Sequence, residues 1–342
     1  MLERPDLQDE KIITCLKEGY GLIVSQIDFL PLGADLNTAV YRTVSDNETP
    51  YFVKLRKGNF EETAVTLPKY LSDIGIPNII TPLTTKTGQL WANLEAFKLI
   101  LYPFIYGRDG YDIDLSDYHW LEFGTTLKRV HAAEISSSIT NQIQRETYSP
   151  QFRETVKKFM KQIENESYTD PVAIKLADFL KTKRSEVFDL IGCAERLALK
   201  LQADSPPFTV CHSDVHAGNI LIDGNDKLYI VDWDNPILAP KERDLMFVGG
   251  AQGFSGHTLE EEETLFYRGY GQTQINQSAL AYYRYERIIQ DIAAYCEQLL
   301  LTDEGGEDRE QSFQYLTSNF QSNGTIDIAY KSDKILRGEK TN

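Results

Sequence analysis

Val210-Cys211-His212-Ser213-Asp214-Val215-His216-Ala217-Gly218-Asn219-Ile220-Leu221-Ile222, followed by Tyr229-Ile230-Val231-Asp232-Trp233-Asp234, is the stretch that decides the fold. Apolar, largely β-branched runs stand on both sides of a polar loop, so the segment reads as strand, loop, strand. The loop has the form H-x-D-x-x-x-x-N, and a second aspartate, Asp232, follows Asp214 by 18 residues at the end of an apolar strand. Chance supplies single Asp-to-Asn spacings of five readily. It does not readily supply the histidine, both acids, the asparagine and the flanking strands together.

The arrangement resembles the catalytic loop of protein kinases, H-R-D-x-x-x-x-N followed by D-F-G, with Ser213 in place of the arginine and Asp232-Trp233-Asp234 in place of D-F-G. Phosphoryl transfer explains the residue types. Charge builds on the oxygens of the migrating group, so divalent cations on hard oxygen ligands are needed, together with a group that orients the attacking hydroxyl. Asp214 is the expected catalytic base, and Asn219 and Asp232 are the expected metal ligands. Two carboxylates beside a triphosphate call for Mg2+. His212 is expected to brace the loop, and the role of His216 stays open.

Working outward, the N-terminal third alternates in the manner of strands. Segments 23–32, 38–44 and 50–56 are rich in β-branched and aromatic residues, and the turn Ser45-Asp46-Asn47-Glu48 makes the last two an antiparallel hairpin. A helix is expected at 6–20 and another at about 60–74, ended by Gly75 and Pro77. Further strands are expected at 79–85, 89–94 and 96–103. Beyond Tyr106-Gly107 the pattern turns helical, at 116–134, 150–166, 171–202, 258–271 and 276–301, around a β-rich island at 208–233. The expected fold class is α+β: a protein-kinase-like two-lobed fold, with a small antiparallel β lobe plus one helix (1–105) and a larger, mainly helical lobe (106–342).

Such a fold supplies its phosphate-binding lysine from a central strand of the first lobe. Lys54 in Tyr51-Phe52-Val53-Lys54-Leu55 fits, because a buried ammonium needs phosphate or a carboxylate to face. Glu62 on the following helix is its expected partner. Gly33, between the first two strands, would let the backbone approach the phosphates. Tyr102, Phe104 and Ile105, at the lobe junction, are expected to receive the adenine of ATP or of another nucleoside triphosphate.

The 342 residues carry 35 Lys plus Arg against 51 Asp plus Glu, a formal charge of −16. That balance repels nucleic acid and anionic membranes and favours a cationic small-molecule acceptor. The four cysteines are scattered, with no metal-ligand or disulfide pattern. The charged N-terminus lacks a signal-peptide character, and the apolar run at 99–106 is too short to span a bilayer, so a cytoplasmic location is expected. Oligomeric state cannot be read from the sequence.

The segments HSDVHAGNILI, IVDWDNP and LAPKERDLMFVGG resemble the aminoglycoside phosphotransferase and choline kinase family, in particular its spectinomycin phosphotransferase branch. The resemblance implies ATP, magnesium and the roles already given to Asp214, Asn219, Asp232, Lys54 and Glu62. It also implies a loop-bracing Asp244. For a cationic aminocyclitol, Asp234 and then Glu286 are the expected substrate contacts. The expectation is an O-phosphotransferase acting on spectinomycin or a related aminocyclitol or aminoglycoside antibiotic. The alternatives are a housekeeping kinase for choline, an amino alcohol, homoserine or a sugar, and a non-catalytic kinase-fold binding protein.

Overall fold

The computed structural model describes residues 4–32, 37–58, 60–302, 306 and 308–336. Gly33 lies outside the described residues. The first lobe is a five-stranded antiparallel sheet built from β1 (Val24–Leu30), β2 (Thr38–Ser45), β3 (Pro50–Lys57), β4 (Ala92–Leu94) and β5 (Phe97–Pro103), in the order β1-β2-β3-β5-β4. Helix α1 (Asp9–Tyr20) covers one face by burying Ile12 and Leu16 against Tyr41, Val53, Leu55, Leu99 and Leu101. Helix α2 (Thr63–Asp73) connects β3 towards β4. The lobe thus carries two helices rather than one, because α1 supplies the apolar cover that the outer sheet face requires.

The period of two in β3 positions the chemistry. Val53 and Leu55 point into the core of the first lobe, so Lys54 and Arg56 point the other way, towards the second lobe. Strand β3 lies between β2 and β5, with Lys54 opposite Val40 and Ile100, which holds the lysine on the rigid centre of the sheet.

The second lobe contains β6 (Gly107–Asp109), α3 (Asp117–His131), α4 (Ser137–Thr140), β7 (Gln144–Arg145), α5 (Gln151–Asn165), α6 (Pro171–Thr182) and α7 (Arg184–Asp204). After these come β8 (Thr209–Cys211), β9 (Ile220–Asp223), β10 (Leu228–Ile230), β11 (Ile237–Ala239), α8 (Glu242–Leu245), α9 (Leu259–Tyr270), α10 (Gln277–Leu301), α11 (Asp308–Ser318) and α12 (Thr325–Leu336). Two small sheets, β10-β9-β6 and β7-β11-β8, frame the polar loop between β8 and β9. Helix α10 runs through the lobe and packs on α5, α7 and α12.

Two expectations differ from the structure. The helix expected over 171–202 is two helices, broken at Lys183, whose ψ of 7° leaves the helical region. No Gly or Pro marks that break in the sequence. The strand expected at 79–85 reduces to a single bridge between Ile79 and Ile230, because Ile79 packs into the core of the second lobe. Leu67 and Leu71 of α2 pack there as well, so this helix leans its apolar face across the junction.

Candidate active site

The loop after β8 is held by a buried carboxylate. Asp244 of α8 accepts the backbone N–H of His212 (2.9 Å) and of Ser213 (2.6 Å), and the Nε2 of His131 lies 2.9 Å away. Burial works to raise this carboxyl, but the donors, led by His131, outweigh it and keep it below the usual carboxylate range. The loop needs this anchor because Ser213 adopts a φ of 75°, a strained value for a residue with a side chain. His131, Cys211 and Asp244 lie close enough together to hold a metal. The Cys211 thiol contacts the carbonyls of Ala239 and Pro240 and is pushed up by burial, and Asp244 is fully hydrogen-bonded, so the trio is a structural brace.

His212 ties the loop to the strand bearing the second acid. Its Nδ1 accepts the N–H of Asp214 (3.2 Å), which leaves Nε2 to donate to the carbonyl of Val231 (2.9 Å). Trp233 packs edge-on against its ring at 4.5 Å and donates to the carbonyl of Ile230. Trp233 is therefore a buried support. The side-chain N–H of Asn219 donates to the carbonyl of Asp214 (2.7 Å), while Val231 N–H donates to the carbonyl of Asn219 (3.0 Å). These two bonds close the loop onto the strand.

Asp214 faces the open side of this frame, and Arg287 of α10 donates from Nη1 to its Oδ1 at 2.7 Å. Arg287 in turn pairs with Asp291, one helical turn on, at 3.1 Å. Burial alone would raise the Asp214 carboxyl, but Arg287, with His216 and His212, holds it below the usual range, so it is ionised at neutral pH. Its Oδ2 lies 3.7 Å from Nε2 of His216, farther than Oδ1 lies from Arg287.

A four-charge cluster stands on the other side. Lys54 Nζ donates to Oδ1 of Asp232 (2.6 Å) and to Oδ1 of Asp234 (2.7 Å), and Arg56 donates to Oδ2 of Asp234 (2.8 Å). Enclosure in the cleft raises both carboxyls; Lys54 brings Asp232 well below the usual range, while Asp234, facing Asp232, stays above it. The same enclosure disfavours the Lys54 ammonium, and the two aspartates more than offset this. Asp232 has a φ of 64°, and its side chain remains 47% exposed. A cavity of about 330 Å³ opens beside the cluster, lined by Arg56, Asp234, Asn235, Phe60 and Gln144 among others.

Three expectations about individual residues are corrected by this geometry. Glu62 does not pair with Lys54: it stands exposed at the N-cap position of α2, and Asp232 and Asp234 take the ammonium instead. Asp234, expected as an acceptor contact, is instead paired within the protein, through Oδ1 with Lys54 and through Oδ2 with Arg56. Glu286 is buried against Arg153 at 2.9 Å, which ties α10 to α5, and burial pushes its carboxyl up to about 7 in spite of that arginine. The nucleotide candidates are arranged more simply. Tyr102 stands opposite Phe52 in β5, in electrostatic contact with Lys54; Phe104 packs on Tyr106 at 4.9 Å, and Ile105 is half-buried at the link.

The sequence reading missed Arg287 and Arg56. Arg287 and Asp291 stand at i, i+4, a spacing that signals an ion pair but not its third member, Asp214. Arg56 shares the face of Lys54 by simple alternation, and that signal was available.

Residues 28–271 match the model of APH, the phosphotransferase enzyme family. The chain belongs to this family. Members of the APH family and their structural neighbours are small-molecule kinases, and this chain is a phosphotransferase of that kind. The crystal structure of spectinomycin phosphotransferase APH(9)-Ia in complex with ADP and spectinomycin is similar at 36% identity, covering 96% of this chain and 100% of that one, with a TM-score of 0.89. The AMP-bound complex of APH(9)-Ia is similar at 35% identity, covering 94% and 98%, with a TM-score of 0.83. Choline kinase LicA from Streptococcus pneumoniae shares the fold at 17% identity, covering 90% and 97%, with a TM-score of 0.55. No curated protein matches the chain significantly. No helix among the described residues is long and apolar enough to cross a membrane.

Proposed function

We propose that this phosphotransferase moves the γ-phosphoryl group of ATP to a ring hydroxyl of a cationic aminocyclitol, spectinomycin or a near relative, and so confers resistance in the cytoplasm. The observation that carries the reading is the ionised Asp214, whose Oδ1 is held by Arg287 and whose Oδ2 lies 3.7 Å from His216 on a side chain still 36% exposed. The choice of aminocyclitol is supported by the 36% identity, over nearly the whole chain, to a phosphotransferase crystallised with ADP and spectinomycin.

Asn219 and Asp232 offer hard oxygens, an amide carbonyl and an ionised, half-exposed carboxylate, and this donor set suits Mg2+. When bound there, the metal would neutralise charge developing on the transferred phosphoryl oxygens. Lys54 would hold the phosphates, with Tyr102, Phe104 and Ile105 beside the base. Asp214 orients the acceptor hydroxyl and takes its proton as the new O–P bond forms and the bond to the departing ADP breaks. The net charge of −16 draws cations towards the cleft.

The test is a coupled ADP-release assay over spectinomycin, aminoglycosides, choline and homoserine, with the phosphorylated product identified by mass. Phosphorylated spectinomycin as the best product is the expected result. Preferred turnover of choline or homoserine would replace the aminocyclitol reading with a housekeeping one. ADP release that no acceptor stimulates would remove acceptor phosphorylation from the reading altogether.

A further inference from the structure

Tyr111 is a large aromatic residue left 58% exposed beside the loop that carries Asp214 and His216. It follows β6 directly, and its position is determined by three segments. Its N–H donates to Oδ1 of Asp109 at 2.9 Å; the preceding residue, Gly110, donates to the carbonyls of Ala217 (3.0 Å) and Ile220 (3.1 Å), and Ala217 N–H donates to the carbonyl of Gln252 (3.2 Å).

Two glycines make room for the ring. A Cβ at Gly218 would stand 2.5 Å from Cε2 of Tyr111, and one at Gly253, where φ is +88°, would stand 2.1 Å from Cε1. Both edges of the phenol are therefore seated against bare backbone. The ring stacks on His216, with centroids 5.7 Å apart and planes 27° from parallel, and its hydroxyl lies 3.1 Å from Nδ1 of that histidine. The opposite edge of the imidazole, Nε2, is 3.7 Å from Oδ2 of Asp214. One imidazole thus separates an exposed aromatic ring from Oδ2 of Asp214.

A clamped ring has already lost the freedom that binding would otherwise cost it. A saturated, hydroxylated ring can lay its C–H face on such a surface while one hydroxyl at its edge reaches a neighbouring carboxylate. We propose that Tyr111 is the platform on which the acceptor's ring rests, with Gly218 and Gly253 as the seat that fixes the platform's angle to Asp214. This rests on the reading of the acceptor as a hydroxylated ring, and it adds the subsite that would select one. An acyclic amino alcohol has no flat C–H face to offer and would gain little from Tyr111.

The test compares wild type, Tyr111→Leu and Tyr111→Phe in steady-state kinetics and in calorimetric titration with spectinomycin, with thermal melting of each. Tyr111→Leu should raise the acceptor's KM and weaken its binding about tenfold, leaving the KM for ATP within about twofold, while Tyr111→Phe stays within about twofold of wild type in both. Tyr111→Leu gives up the contacts with Gly218, Gly253 and His216, so melting is read beside the kinetics and constants are compared only on folded protein. A Tyr111→Leu enzyme that binds and phosphorylates spectinomycin as wild type does overturns the platform alone. So does one in which ATP and acceptor constants worsen equally, since that is the mark of a structural role. Wild type that neither binds nor phosphorylates spectinomycin, while turning over choline or homoserine, overturns the platform and the proposed function together.

Discussion

Replacing Arg287 with methionine isolates the contribution of the cation on Asp214. The guanidinium donates to Oδ1 at 2.7 Å and pairs with Asp291 at 3.1 Å, so its removal leaves two carboxylates near each other without a cation between them. A hydrogen bond to a charged group contributes about 1.5–3 kcal/mol, and on the barrier that range corresponds to about 10- to 150-fold in rate. Arg287→Met should therefore lower kcat by about that factor. The KM for ATP should hardly change, because the proposed phosphate contact, Lys54, belongs to the cluster on the other side. Arg287→Lys should recover part of the loss, since an ammonium restores the charge but not the planar fork that spans two acids. The assay is ADP release with the best acceptor, alongside thermal melting to separate misfolding from slow chemistry. A folded Arg287→Met enzyme with kcat within about twofold of wild type would refute the idea that this contact prepares Asp214.

Lys54→Met should weaken ATP use without reordering acceptors, because Lys54 lies among Asp232, Asp234 and Arg56 and away from Asp214; a changed acceptor ranking with normal ATP dependence would mean that the nucleotide is misplaced. Asp244→Asn should cost about 3 kcal/mol of stability, since it removes a buried charge that meets two backbone donors and His131; an unchanged melting temperature would argue against the brace. For Glu286 the sign follows from linkage: its carboxyl is pushed up to about 7 in the folded state, so the folded protein holds that proton more tightly than the unfolded chain does. Its contribution is full below the ordinary glutamate pKa and is lost as pH rises through about 7, with an upper bound of about 3 kcal/mol. Denaturant melts of wild type and Glu286→Gln from pH 4 to pH 8 should show this decline flattened in the variant, and parallel curves would contradict it.

What was legible in the sequence was whatever local pattern determines. The spacing of His212, Asp214, Asn219 and Asp232 is local, and alternation alone turns Lys54 away from Val53 and Leu55. Ion-pair choice is not local. Glu62 falls too early in the chain, at the N-cap position of α2, and the partners of Lys54 come from residues 178 and 180 positions further on. On α10, Glu286 and Arg287 are neighbours in sequence but about 100° apart around the helix. Which of the two enters the site depends on the rotation of α10 against α5, where Arg153 claims Glu286. The break at Lys183 lacks a helix-breaking residue, so no local pattern marks it.

The cluster of Lys54, Arg56, Asp232 and Asp234 contains two cations and two anions that satisfy one another. A polyanion arriving alone would compete with the aspartates for the cations and leave those acids uncompensated; a divalent cation arriving alone would strand the lysine and arginine. Arriving as a complex, the two would exchange partners with the cluster together and keep its charge balanced. Metal and nucleotide should accordingly raise each other's affinity by the same factor, as reciprocity requires. Titrating each in the presence and absence of the other, corrected for their association in solution, measures that factor, and a value of one would mean that the protein takes no part in coupling them.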